Sequence, residues 1–288
     1  MVDNLVILAA GLSSRMKRQS NGFIDKELKL QANDRPKSLI SIDGSGRPFL
    51  DYILYNAKRV GFLNIYIVIS PNDPLIRKFY GDDDQNNKFG GLTINYAIQG
   101  IPQDREKPLG TADALLQALE QFPVLQKNSF VVCNSDNLYS SLAFKILSTT
   151  EQNALISYDR DALKFSLERI NQFALMRFDD DYFLKDIIEK PSIEDTEKYR
   201  DKQDKLRVSM NIFRFNGSEI YNYLKNCPLN PDRGEKELPT ALLNMISDKP
   251  LSVKGIPLSE HVPDLTSKED IAVLKDYLLS EHIKISWE

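Results

Sequence analysis

Asn4-Leu5-Val6-Ile7-Leu8-Ala9-Ala10-Gly11-Leu12-Ser13-Ser14-Arg15-Met16, residues 4–16, is the stretch on which the fold reading turns. It opens as an apolar, β-branched run without polar alternation, the pattern of a strand buried on both faces of a parallel sheet. It closes in small residues. Ala9, Ala10 and Gly11 leave room for backbone N–H groups to approach a ligand, and Gly11 is expected to turn the chain through positive φ. Arg15 follows with a permanently charged fork matched to phosphate oxygens. A glycine turn alone ends many buried strands without binding anything, so its meaning depends on what comes downstream.

Outward from this stretch the pattern repeats. Residues 49–61 carry helical apolar spacing and stop at Gly61, and 64–70 read as a second buried strand, completing a strand, crossover helix and parallel strand. Residues 92–98 read as a third strand ending at Gln99. A helix is expected from Gly110-Thr111-Ala112 to about Glu120, its first amides open to negative charge. Residues 129–133 read as a fourth strand delivering Asn134-Ser135-Asp136. Ligands bind at the carboxyl ends of strands in such sheets, and Gly11, Gln99 and Asp136 all fall there.

Between these segments, Met16 to Pro36 is polar and aperiodic and reads as a long mobile loop, with Lys17 and Arg18 either touching phosphate or simply solvated. Beyond Asp136 the reading gives a helix at 141–147, a strand at 154–158 and a hairpin from 173–178 and 182–188 that delivers Glu189-Lys190-Pro191. Residues 192–207 read as an exposed helix or lid, 206–215 as one strand, 218–225 and 237–246 as helices and 251–256 as a strand. A last helix, 267–279, is capped by Ser267 with Asp270 three residues on. The expected fold is α/β: one Rossmann-like domain, residues 1–288, with a mixed, mostly parallel sheet flanked by helices. Its halves divide near residue 136.

The bulk numbers bound the function. Forty-two per cent hydrophobic and 27% charged residues in 288 fit an ordinary globular chain. Lys and Arg number 37 against 41 Asp and Glu, a formal charge of −4, which offers no long-range attraction to nucleic acid or an anionic membrane. The apolar run at the N-terminus is too short for a signal-peptide core or a membrane span, which makes a cytoplasmic location the default expectation. Two cysteines, Cys133 and Cys227, build neither a disulfide framework nor a metal cluster and read as reduced thiols. Two histidines, His261 and His282, leave little material for zinc or a histidine-based triad.

Leu8-Ala9-Ala10-Gly11 with Ser14-Arg15-Met16, then Pro36-Lys37, Gln99, Gly110-Thr111-Ala112, Asn134-Ser135-Asp136, Glu189-Lys190-Pro191 and Asp264-Leu265-Thr266 together resemble the sugar-1-phosphate nucleotidylyltransferases, in that family's order and over nearly the whole chain. The resemblance implies the nucleotide-diphospho-sugar transferase type of fold. It also implies a reaction in which a sugar 1-phosphate attacks the α-phosphate of a nucleoside triphosphate, giving a nucleotide sugar and pyrophosphate. Such chemistry asks for positioning and charge neutralisation more than for an acid or base. On this resemblance Leu8, Ala9, Ala10, Gly11, Gly110 and Thr111 hold the nucleotide. Gln99 reads its base, with UTP or dTTP favoured. Arg15 and Lys37 balance charge on the departing pyrophosphate, and Lys190 holds the sugar phosphate. Glu189 and Asn211 face the sugar, and Asp136 and Asp264 share one Mg²⁺.

Each assignment has a plainer rival. Asp136 suits an Asx-turn, Asp264 the start of the helix behind it, and Lys190 a hairpin surface; Gln99 is also a plausible polar strand end. The spacing from Arg15 to Lys37 is longer than in thymidylyltransferases, and Ser13-Ser14 stands where a glycine is commoner. The nearest alternative reaction is a cytidylyltransferase acting on a polyol or choline phosphate. An alternative from another class is a silent module that binds nucleotide sugar for regulation. Oligomeric state is open: Trp287 suits a homo-oligomer contact, though a buried aromatic is the commoner fate of its type.

Overall fold

The computed structural model describes residues 1–11, 13, 15–17, 26–43, 45–71, 73–189, 191–281 and 284–287, the side chain of Ile193 excepted. Eleven described strands join one sheet: β1 Asn4–Leu8, β2 Asn64–Ile69, β3 Asn87–Phe89, β4 Leu92–Ile98, β5 Ser129–Asn134, β6 Ala154–Asp159, β7 Leu175–Phe178, β8 Leu184–Ile188, β9 Arg207–Val208, β10 Ile212–Asn216 and β11 Lys254–Leu258. Their order is β3-β4-β2-β1-β5-β10-β6-β9-β7-β8, with β11 beside β6. β4, β2, β1 and β5 pair in parallel, as the crossover pattern requires. Past β5 the ladders turn antiparallel except at β6 and β11. The pairings leave β1, β2, β4, β5, β6, β7 and β11 pointing one way, so the mixed, mostly parallel sheet is as expected.

The central strands are buried on both faces, and β1 shows why its sequence lacks alternation. Leu5 and Ile7 pack into one core layer, with the helices Phe49–Lys58, Ser141–Thr149 and Glu269–Ser280. Val6, pointing the other way, packs into the second layer, with Thr111–Gln121, Gly217–Lys225 and Leu238–Asp248. All three side chains are fully buried, and burial of each contributes about 1.5–3 kcal/mol. The sheet continues through residue 136 without a break, so the change in composition there marks a change of strand direction within one α/β unit.

Several expectations are corrected. Residues 26–34, assigned to a loop, form the helix Lys26–Asp34. Its anchor is polar and therefore silent in a hydrophobic pattern: buried Gln31 accepts from the Ser41 amide at 2.9 Å and from Arg35 at 3.3 Å. The single strand expected at 206–215 splits into β9 and β10 around Asn211, whose left-handed backbone (φ 55°) suits asparagine. Residues 192–207 hold one short helix, Ile193–Lys198, and then fold inward. There Arg207 meets Asp201 at 2.6 Å with both side chains buried. The strand expected at 251–256 lies at β11 because Leu251 is left-handed and exposed in the preceding turn. The last helix starts at Glu269, and the cap is reversed: the Asp270 carboxylate accepts from the Thr266 and Ser267 amides at 2.9 and 2.6 Å. Trp287 packs edge-on against Tyr55 and Phe89 of its own chain. No helix among the described residues is long and apolar enough to cross a membrane.

Candidate active site

The strand ends of β1, β4 and β5 meet at two adjoining cavities. The first, of about 320 Å³, is floored by Leu8, Ala9, Ala10 and Gly11 and walled by Lys37, Gln99, Gly110 and Thr111. The second, of about 410 Å³, takes in Arg15, Arg169, Glu189, Asn211, Arg233 and Asp264. Asn134 and Asp136 border both.

In the first cavity the turn after β1 differs from expectation. Gly11 keeps ordinary φ, and a Cβ built on it meets nothing within 4 Å, so its contribution is open space. Ser13 takes the left-handed conformation instead (φ 53°) and accepts from the Lys37 amide at 3.4 Å. Gly110 does require glycine. Its φ is 105°, and a Cβ there lies 2.7 Å from the Lys236 carbonyl. One amide in the first turn of the helix behind it is already taken. Ala112 N–H donates to the Lys236 carbonyl at 2.9 Å, and Thr111 Oγ1 accepts from the Leu238 amide at 2.9 Å. Residues 235–238 thus close one wall of the cavity, which nothing in their own sequence announces.

Gln99 is 3% exposed. Its amide nitrogen donates to the Gly110 carbonyl and to Asp113 Oδ2, each at 3.0 Å. Both N–H groups are therefore committed, and Oε1 is the polar atom left to a ligand.

At the border, Lys37 leaves a short 3₁₀ turn held by Pro36 and donates from Nζ to Asp136 Oδ2 at 2.9 Å. Asp136 and Asp264 come together through the main chain. Leu265 N–H donates to the Asp136 carbonyl and Leu138 N–H to the Pro263 carbonyl, each at 2.8 Å, around the pair Asn137 and Asp264. Burial, then the neighbouring charge of Asp136, pushes the Asp264 carboxyl above its ordinary range, against the pull of Arg169 and the Thr266 hydroxyl. Thr266 Oγ1 donates to Asp264 at 2.8 Å. Among the described residues no cluster of three or more His, Cys, Asp or Glu side chains could hold a metal. A buried carboxylate facing a second acidic side chain is nevertheless a donor set that a hard cation relieves, and Mg²⁺ commonly takes one or two carboxylates with phosphate and water completing its shell.

The second cavity contains residues that the sequence did not single out. Arg169 bridges Asp264 at 2.7 Å and Asp270 at 2.5 Å and lies 4.5 Å over the Phe165 ring. It sits in the four-residue helix Leu167–Ile170, too short to show periodicity. Arg233 bridges Glu189 at 2.7 Å and Glu237 at 2.6 Å. Arg15, expected at the phosphate turn beside the first cavity, lines this second one. Asn211 joins it through the break between β9 and β10. Lys190 lies outside the described residues.

This fold belongs to a known class. The family profile described as nucleotidyl transferase matches residues 31–257, and the chain belongs to that family. It is 24% identical over 288 residues to the bifunctional protein GlmU of Thermodesulfovibrio yellowstonii, covering 98% of this chain and 53% of that protein. It is 23% identical over 250 residues to GlmU of Staphylococcus epidermidis, covering 86% of this chain and 46% of that protein. The chain thus spans about half the length of these relatives. A crystal structure of UDP-glucose pyrophosphorylase complexed with UDP-glucose superposes with a TM-score of 0.69 at 16% identity, over 98% of this chain and 100% of the other.

Proposed function

We propose that this protein is a Mg²⁺-dependent nucleotidylyltransferase that couples a sugar 1-phosphate to UTP or dTTP, releasing pyrophosphate. The observation that carries the reading is the pair of cavities sharing Asp136, with Gln99 on one side and Glu189 with Asn211 on the other. A nucleotide in the first and a sugar phosphate in the second would bring their phosphates together at Lys37, Asp136 and Asp264. The names of the relatives point the same way, GlmU and a pyrophosphorylase bound to a nucleotide sugar.

Asp136 and Asp264 would hold the Mg²⁺, which supplies charge neutralisation for the reacting phosphates. The chain's own residues do the rest. Lys37 supplies a positive charge at the border, and Arg15 is a second cation on the sugar side. Leu8 to Gly11 leave backbone and open space against the nucleotide, and Gly110 lets the opposite wall close in. Glu189, held by Arg233, and Asn211 would take sugar hydroxyls. Lys190, by resemblance, would hold the sugar phosphate. With the nucleophile already an anion, alignment and charge balance suffice.

The test is pyrophosphate release from UTP, dTTP, CTP, ATP or GTP with Mg²⁺ and a panel of hexose 1-phosphates, a polyol phosphate and choline phosphate. Release with UTP or dTTP above the other nucleotides is expected. Preference for CTP with a polyol or choline phosphate would favour the cytidylyltransferase reading, and nucleotide-sugar binding without release from any pair would favour the regulatory one.

A further inference from the structure

We propose that Asp113 is a positioning residue that decides which pyrimidine the first cavity accepts. It lies in the helix Thr111–Gln121, is 6% exposed, and carries a carboxylate that can only accept when ionised. Oδ2 takes one N–H of Gln99 at 3.0 Å, while the Gly110 carbonyl takes the other at 3.0 Å. Reversing the Gln99 amide would set its oxygen against both acceptors and take one donor from each, so the amide has one orientation.

The carboxylate is itself fixed. Gln117 Nε2 donates to the same Oδ2 at 2.7 Å, and Gln117 Oε1 accepts from the Gly100 amide at 2.8 Å. The relay Gly100, Gln117, Asp113, Gln99 therefore leaves Gln99 Oε1 as an acceptor at the cavity. Uracil and thymine present an N–H at N3, which such an oxygen accepts; cytosine presents a lone pair there. A buried acceptor facing a lone pair gains nothing and loses water, which gives discrimination between bases of the same shape.

This inference rests on reading Gln99 as the base contact, and the experiment separates the two. kcat/KM is measured with UTP, dTTP and CTP for the parent protein and for Asp113→Asn, Gln117→Met and Gln99→Ala, with nucleotide-induced shifts in Tm as a second readout. Asp113→Asn can donate as well as accept, so it frees the amide to reverse. The ratio of UTP to CTP kcat/KM is expected to fall at least about tenfold, with a smaller fall for Gln117→Met. Equal losses for both nucleotides, or an unchanged ratio in Asp113→Asn while Gln99→Ala loses discrimination, overturn the role of Asp113 alone. Unchanged discrimination in Gln99→Ala, or none in the parent, overturns the base contact itself. Should Asp113→Asn fail to fold, Gln117→Met carries the same ratio test.

Discussion

Lys37 and Asp136, 99 positions apart in the chain, are joined by a single 2.9 Å contact from Nζ to Oδ2. The contact ties the turn after Pro36 to the end of β5 and holds a positive charge where the two cavities meet. Both side chains are largely buried, at 12% and 26% exposure, so the charge is less screened than at the surface.

Lys37→Met preserves the stem and removes the charge. Turnover is expected to fall about 10²- to 10³-fold, the usual cost of losing one preorganised donor at developing charge. Lys37→Arg should keep more of it. Pyrophosphate release measured for both variants checks this; Lys37→Met turning over at the parent rate would remove Lys37 from the reacting centre.

Arg169→Ala leaves Asp264 and Asp270 without their shared cation. Breaking a buried pair costs about 3–5 kcal/mol, but Arg169 is a quarter exposed, so about 1–3 kcal/mol is expected from urea melts. The same loss of positive charge should tighten Mn²⁺ binding severalfold in a titration without nucleotide. Weaker Mn²⁺ binding would mean that Arg169 shapes the acidic pair rather than competing for it.

Gly110→Ala places a Cβ 2.7 Å from the Lys236 carbonyl on a backbone that L residues rarely adopt. A cost of about 1–2 kcal/mol or more follows from the φ alone. Because the collision falls on the wall of the first cavity, KM for the nucleotide should rise more than KM for the sugar phosphate. A parallel rise in both would show a general loss of structure.

His261 offers a pH test away from the reacting centre. Its Nδ1 accepts from the Lys164 amide at 3.1 Å, and burial, with the charges of Lys164 and Arg169, pushes it from 6.5 down to about 4. The unfolded chain therefore binds this proton more readily than the folded protein does. Stability is full above about pH 6.5 and declines as pH falls toward about 4. The drop in Tm between pH 7 and pH 5 should be larger in the parent than in His261→Gln; equal drops would place the titration elsewhere.

The sequence was legible where burial writes a period. Leu5, Val6 and Ile7 announced a strand covered on both faces, and the residues just past it, with Gln99 and Asp136, were found because parallel strands end on one side. The helix Lys26–Asp34 was hidden because Gln31 anchors it by hydrogen bonds, and Arg169 because a four-residue helix has no period. Arg233 and residues 235–238 reach the site from a distant loop, a closure that sequence spacing does not encode. Ser13, not Gly11, makes the left-handed turn after β1, since glycine permits positive φ without requiring it.

The main-chain bridge between residues 136–138 and 263–265 sets the two acidic residues side by side through peptide hydrogen bonds, while Lys37, Arg169 and Thr266 aim their carboxylates. On the proposed reading, substitutions that reshape either chamber would alter which base or sugar is admitted without moving the backbone between them. One scaffold can in this way diversify its substrates while the pair of carboxylates stays in place.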